Sequence, residues 1–156
     1  MDFEGIYTPV ITPFNDDFSI DREGFATVIE HLIETGVHGI VTSGTTGEYY
    51  AQTIAERIAL TQLAKDVIAG RLPLIVGTGA IRTEDSVVLA EAARAAGADA
   101  LTFPDHATGD LVGGAYYRKF LLEIHREMAE CLDVPLILHI CGKTVDRMAD
   151  IATSGM

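Results

Sequence analysis

Short apolar runs alternate with amphipathic segments along the chain. Five apolar runs bounded by glycine or proline are predicted strands, at residues 5–14, 37–43, 72–76, 98–103 and 135–140. Five segments with apolar residues at helical spacing follow them, beginning near Asp21, Ala55, Thr83, Gly114 and Thr144. Regular alternation of buried strands and helices predicts an α/β fold with a parallel sheet.

The strand and helix units repeat along the chain, and the same short pattern connects a helix to the next strand. Residues 34–40 and 95–101 each read as a helix end, a glycine and a strand entry, and residues 152–156 begin the same pattern. Units of roughly 30 residues are typical of a (β/α)8 TIM barrel or of an open doubly wound sheet. We therefore expect a single domain, 1–156, forming a partial TIM barrel of about five βα units. An open flavodoxin-like sheet and completion by oligomerisation remain alternatives.

A turn of small residues follows the second predicted strand. It comprises Gly44, Thr45, Thr46 and Gly47, and is called the 44–47 turn below. Glycines permit positive φ and leave space above the backbone, so N–H groups and hydroxyls can face a common point. This favours a receptor for a small anion such as a carboxylate. The alternative is a tight βα connection with local hydroxyl caps.

Composition narrows the classes of partner. The 156 residues carry a net charge of −12, which argues against nucleic acids and anionic membranes. No apolar run approaches the roughly 18 residues needed to cross a bilayer. Cys131 and Cys141 are too few for a disulfide framework. We expect a cytoplasmic protein.

Three motifs in the first two thirds of the chain carry a family resemblance. They are GIYTPVITPF at 5–14, GTTGE at 44–48 and PLIVGTGAIRT at 73–83. With them, residues 3–102 resemble the dihydrodipicolinate synthase/N-acetylneuraminate lyase family, TIM-barrel class I aldolases acting on pyruvate and related 2-keto acids. The resemblance implies that Thr45 and Thr46 hold the carboxylate of the keto acid.

The last third carries different motifs, DHATGDLV at 105–112 and HICG at 139–142. Residues 100–156 resemble the uroporphyrinogen decarboxylase superfamily, and within it the methylcobamide:coenzyme M methyltransferases. Two kinds of barrel therefore look joined near residues 98–103. An engineered or recombined chimera and a natural mosaic both fit this pattern.

The resemblances also imply catalytic groups that the chain lacks. A class I aldolase forms a Schiff base through a lysine, which the family places on a sixth strand, beyond the five predicted. Its catalytic tyrosine follows the fourth strand, where residues 104–110 stand instead. Lys143 does not match the family lysine, and Tyr49 and Tyr50 are interpreted as packing and rim residues. We expect an impaired or inactive lyase, with no catalytic residue assigned.

A second hypothesis concerns zinc. His139 and Cys141 are two residues apart in a strand, so their side chains leave from one face, and imidazole plus thiolate suits zinc. In the methyltransferases this pair supplies two ligands, but the third cysteine is missing and Cys131 is a poor substitute. Asp105 or His106 could complete the site. No cofactor is expected apart from weakly bound zinc, and a histidine and cysteine without metal remain the alternative.

Two further interpretations stay open. Asp105, His106 and Asp110 suggest acid–base chemistry, although loop aspartates more often cap the next helix. The chain could also be a non-catalytic designed scaffold. Open sheet edges need covering, so a homo-oligomer is expected.

Overall fold

The computed structural model describes residues 3–156, which form two compact units dividing between Asp99 and Ala100. We call them the N-terminal and C-terminal units. Five strands alternate with helices, and every strand pairs in parallel with a neighbour inside its own unit. The predicted α/β class with five parallel strands is confirmed. That both units form one domain stays a prediction.

The N-terminal unit contains three strands in the order β1-β2-β3. Tyr7 lies opposite Gly39, and Ile40 lies opposite Leu74, so the carboxyl ends of the strands share one edge. All four residues of the third strand are buried, as expected of a continuous apolar run in a parallel sheet. The elements are β1 (Tyr7–Pro9), α1 (Arg22–Glu34), β2 (Gly39–Thr42), α2 (Ile54–Ile68), β3 (Leu74–Gly77) and α3 (Thr83–Ala95).

The helices of this unit begin and end where local chemistry predicts. The Asp21 side chain accepts a hydrogen bond from the Gly24 N–H at 2.8 Å, which caps α1. Thr53 and Glu56 form a reciprocal capping box at the start of α2. Beyond α1, Gly36 has φ +82°, a left-handed conformation that glycine adopts without strain.

The first strand is much shorter than the predicted 5–14. Only Tyr7–Pro9 is a strand, because Pro9 and Pro13 have no N–H to donate to a neighbour. Phe14 instead forms an isolated antiparallel bridge with Ile20, which closes the turn between them. The prediction of ten strand residues was therefore wrong.

The C-terminal unit pairs two strands, with Leu101 opposite Leu136 and Pro104 opposite His139. The helix predicted at 114–131 is interrupted at Leu121, whose φ of −109° departs from helical geometry. The helix predicted at 144–153 is reduced to a 3₁₀ turn (Val145–Arg147) and one helical turn, and Arg147 at their junction is fully buried. The elements are β4 (Ala100–Pro104), α4 (Gly114–Phe120), α5 (Leu122–Cys131), β5 (Leu136–His139) and α6 (Met148–Ile151).

None of the helices within residues 3–156 combines the length and apolar character that crossing a bilayer requires.

Candidate functional site

The 44–47 turn lies directly after β2, at the carboxyl edge of the N-terminal sheet. Its backbone differs from the prediction, because positive φ occurs at Ser43 (+55°) and Glu48 (+55°). Gly44 is extended with φ −89°, and residues Thr45–Gly47 form a 3₁₀ turn. The glycines are therefore needed for space and close approach and not for a left-handed backbone.

Gly47 shows this need for space. A Cβ at this position would lie 2.9 Å from the Val10 carbonyl oxygen. The Gly47 carbonyl accepts hydrogen bonds from Thr12 Oγ1 at 2.8 Å and from Gln52 Nε2 at 2.6 Å. These contacts fix the base of the turn against the segment that follows β1.

The predicted ligand groups lie above this base. Thr45 and Thr46 are exposed, Gly44 is half-buried and Gly47 is buried. Just before the turn in sequence, the buried oxygens Thr42 Oγ1 and Ser43 Oγ have no hydrogen-bond partner among the described residues. Buried hydroxyls normally take part in a hydrogen bond, so these two are groups that a polar ligand at the turn could use.

A buried cation lies next to the turn. The Arg57 guanidinium on α2 donates to the carbonyls of Gly77 and Gly79, at 2.8 Å each. Gly77 approaches Ser43 so closely that a Cβ on it would lie 2.2 Å from the Ser43 carbonyl oxygen. Burial lowers the pKa of Arg57 from its ordinary value, while the nearby Tyr49 acts in the opposite direction.

Arg57 was not anticipated from the sequence, where it resembles any exposed charge on an amphipathic helix. Among the described residues its hydrogen bonds go to carbonyls and none goes to a carboxylate, and its Nε has no partner. A buried positive charge without an acidic partner is costly. A positive charge at this place favours an anion nearby on electrostatic grounds.

The two tyrosines after the turn have different environments. Tyr49 is half-buried, with the Arg57 guanidinium 5.0 Å from the centre of its ring. Tyr50 is exposed and contacts Tyr49 edge to face, with 5.7 Å between ring centres. Tyr49 therefore acts as a packing residue, and Tyr50 lies at the exposed rim of the turn, in agreement with the interpretation from the sequence.

In the C-terminal unit the structure brings His139 and Cys141 together. His139 Nε2 lies 3.1 Å from Cys141 Sγ, and both residues are exposed. Within residues 3–156, however, no three His, Cys, Asp or Glu side chains are grouped so that they could hold a metal ion. The pair supplies two of the four ligands that zinc normally takes.

Asp105, which the sequence offered as a third zinc ligand, contacts His125 and the backbone of Ala107 instead. Its Oδ2 lies 3.0 Å from His125 Nε2, and its Oδ1 accepts a hydrogen bond from the Ala107 N–H at 2.7 Å. His125 Nδ1 in turn lies 2.9 Å from the Tyr117 hydroxyl, and both of these residues are buried. The hydrogen bond with His125 lowers the pKa of Asp105, and burial raises that of Tyr117.

This Asp105–His125–Tyr117 network was not predicted. Tyr117 lies at an apolar position of the predicted helix, so the sequence gives no sign that its hydroxyl forms a hydrogen bond. The other loop residues lie outside it. His106 is exposed, and Asp110 pairs with Lys143 at 2.9 Å on the surface. The first N–H of α4, that of Gly114, donates to Asp146 at 2.7 Å, whereas the loop residue Asp105 accepts from the Ala107 N–H. The expected aspartate cap is therefore present in the loop's own turn and absent from the start of α4.

Comparison with known proteins decides the family. The model of the Dihydrodipicolinate synthetase family matches residues 2–105. The chain belongs to this family. A 4-hydroxy-tetrahydrodipicolinate synthase of Methanoculleus marisnigri is 39% identical over 149 residues, which cover 91% of this chain and 48% of the relative. The chain thus spans about half the length of the curated relatives it matches.

Solved structures of the family have the same fold as this chain. YagE, an E. coli K12 prophage protein of the dihydrodipicolinic acid synthase family solved in complex with pyruvate, superposes with a TM-score of 0.74. It is 31% identical, and the match covers 87% of this chain and 44% of that protein. Dihydrodipicolinate synthase from Aquifex aeolicus gives a TM-score of 0.77 at 29% identity, covering 97% and 52%. The fold is therefore part of a barrel of this family.

The resemblance of the last third to the uroporphyrinogen decarboxylase superfamily is also confirmed, since the model of the Uroporphyrinogen decarboxylase (URO-D) family matches residues 80–156. Its narrower resemblance to the methyltransferases stays a prediction. The curated synthases nevertheless align with 91% and 97% of this chain, and so continue past residue 105. The C-terminal unit thus has features of both families.

Proposed function

We propose that the N-terminal unit binds the carboxylate of a small 2-keto acid at the 44–47 turn. The observation that carries this proposal is the pair of buried hydroxyls, Thr42 Oγ1 and Ser43 Oγ, near the buried guanidinium of Arg57, which has no carboxylate partner among the described residues. The exposed hydroxyls of Thr45 and Thr46 supply further donors. Pyruvate in the related YagE structure indicates the size and chemistry of ligand to test.

We further propose that this binding does not lead to a Schiff base within the N-terminal unit. Lys65 is the one lysine in the sequence of residues 1–99. It lies near the far end of α2, where its ammonium donates to the Gly97 carbonyl and pairs with Asp99 at 3.5 Å. At 1.5 Å per residue, the helix carries it roughly 18 Å from Thr53, which follows the turn. Turnover as a lyase is accordingly not expected of this unit.

The proposal predicts weak binding that depends on the two threonines. Pyruvate should bind with a dissociation constant on the order of 1 mM, as for a few hydrogen bonds on a small ligand. Replacing Thr45 and Thr46 together by valine removes two hydroxyl donors to a charged group and should weaken binding at least about tenfold. Titration of the ¹⁵N-labelled protein by NMR measures both constants and follows the Gly44 and Gly47 amides directly.

Thr27→Val is the matched control, because Thr27 is an exposed threonine of the same unit whose hydroxyl bonds only to the Glu23 carbonyl among the described residues. Unchanged affinity in the double valine variant would contradict the carboxylate site. A separate treatment with pyruvate and borohydride tests the second proposal: a stable mass gain on Lys65 would contradict it and leave the binding proposal intact.

The zinc hypothesis is the second candidate, and the 3.1 Å approach of His139 and Cys141 favours it. Two donors do not make the closed or three-ligand sites typical of zinc proteins. Methyl transfer of the coenzyme M kind therefore does not fit the described residues, and we derive no step for it.

For zinc we expect substoichiometric retention. After dialysis against buffer without metal, elemental analysis should find well below one zinc per chain. The Cys141→Ser variant should retain no less zinc than the Cys131→Ser control. One tightly held equivalent that is lost only in Cys141→Ser would contradict this expectation and revive the metal site.

A further inference from the structure

A histidine and a cysteine lie side by side where β5 ends, at the carboxyl edge of the C-terminal unit's strands. His139 Nε2 is 3.1 Å from Cys141 Sγ, and both residues are exposed. A sulfur nucleophile within hydrogen-bond reach of a base is the arrangement that activates cysteine. The carboxylate site proposed for the N-terminal unit does not involve this pair, which is therefore available for chemistry of its own.

Backbone hydrogen bonds hold the chain on both sides of the pair. Before it, the His139 carbonyl accepts from the Asp105 N–H at 2.9 Å, which continues the pairing of β5 with β4. Beyond Cys141, the Lys143 carbonyl accepts from the Gly109 N–H at 2.6 Å. The approach of the imidazole to the thiol is thus built into a segment that is fixed at each end.

The second cysteine of the chain is equally accessible but has different surroundings. Cys131 is exposed at the end of α5, and among the described residues it has no histidine partner of the kind that Cys141 has. It precedes β5, whereas Cys141 follows it, and the four residues of that strand alone span roughly 13 Å. A disulfide requires Cα atoms within about 7 Å, so the two cysteines do not pair within one chain.

We propose that Cys141 is a site of reversible thiol modification, where it exchanges with a small disulfide while His139 takes up the thiol proton. Sγ gives its proton to Nε2 and attacks one sulfur of the disulfide. The S–S bond of the reagent breaks, a mixed disulfide forms on Cys141, and the departing thiolate leaves with the proton from Nε2. Because Cys131 is out of reach, no second thiol of the same chain displaces the adduct, which persists until an external thiol reduces it.

Mass spectrometry of peptides from the folded chain measures the rate at each cysteine separately. The probe is bis(2-hydroxyethyl) disulfide at about pH 6.5, where an ordinary thiol is only about 1% ionised. A chelator keeps metal away from the pair, and the uncharged reagent is not repelled by the net charge of −12. Cys141 should form the mixed disulfide at least about fivefold faster than Cys131. Equal rates at the two cysteines would overturn the proposal.

A substitution of the histidine tests its part in the reaction. His139→Gln keeps a hydrogen-bonding group beside Sγ but removes the base, so the rate at Cys141 should fall to that of Cys131, whose own rate stays unchanged. The matched control is His106→Gln, which removes another exposed histidine of the same unit and leaves the pair intact. An unchanged rate at Cys141 in His139→Gln, or an equal loss in His106→Gln, would contradict the role of His139. Circular dichroism confirms that each variant is folded, and the comparison of the two cysteines in the wild-type chain needs no variant.

Discussion

Replacing Arg147 by methionine is expected to lower the free energy of unfolding of the C-terminal unit by about 3 kcal/mol. Arg147 is fully buried and donates hydrogen bonds to the carbonyls of Ala107 and Val112. Its Nε also pairs with Asp146 at 2.9 Å. Methionine fills much of the same volume but leaves both carbonyls without a donor, and each buried orphan costs about 1–3 kcal/mol.

The ring of Tyr117 adds to this effect, because the Arg147 guanidinium lies 5.6 Å from its centre. Desolvated cation–π contacts contribute about 2 kcal/mol or more. Urea unfolding followed by circular dichroism measures the total loss. Native-state hydrogen exchange then shows whether the loss is confined to residues 100–156, as expected if the compact units open separately.

Arg118→Met is the matched control. Arg118 belongs to the same unit, but its ion pair with Asp150 is partly exposed, and such pairs contribute about 0.2–1 kcal/mol. An Arg147→Met variant as stable as Arg118→Met would show that the buried hydrogen bonds of Arg147 add nothing, and that the segment 105–112 is held in another way.

Arg147 also shows why part of this fold escaped prediction. In the sequence it follows Asp146 in a polar helix, and nothing nearby marks it as buried. Its burial depends on two carbonyls that are 40 and 35 residues away in sequence. The contact of His125 with Asp105 joins two distant parts of the sequence in the same way, so local periodicity could not predict it.

Other features were predictable because they are local. Asp21 and Thr53 each cap their helix through a residue three positions away, and Gly36 ends α1 through its own backbone freedom. The continuous apolar run of β3 predicted a strand buried on both faces, and every residue of Leu74–Gly77 is buried. Strand lengths were overestimated, since apolar residues continue past the last paired residue.

The candidate site also has a part that local sequence predicts and a part that depends on distant residues. The 44–47 turn was found because small residues directly after an apolar run are a local signal. The groups that give the turn its charge and depth come from elsewhere, with Arg57 reaching Gly77 across 20 residues and Thr12 reaching Gly47 across 35. A search of the sequence finds the loop, but only the fold shows that a buried cation lies beside it.

Replacing Gly77 by alanine is expected to be the most damaging single change near that loop. A Cβ there would lie 2.2 Å from the Ser43 carbonyl oxygen and 2.8 Å from its carbon, closer than atoms can approach. Because both obstacles are backbone, β2 and β3 must separate or Ser43 must leave its left-handed conformation. Overpacking of this kind costs about 1–3 kcal/mol, and we expect about 2–3 kcal/mol in the N-terminal unit.

Gly44→Ala is the matched control for stability, since a Cβ at Gly44 meets no atom within 4 Å and its φ of −89° suits alanine. It should change the free energy of unfolding by less than about 0.5 kcal/mol, as expected for a site without strain. The same urea titration compares the two variants, and amide NMR shifts show whether Ser43 has moved. If Gly77→Ala were as stable as Gly44→Ala, with Ser43 unmoved, the close approach of β3 to the turn would be wrong, and the case for Arg57 as the neighbouring charge would fail with it.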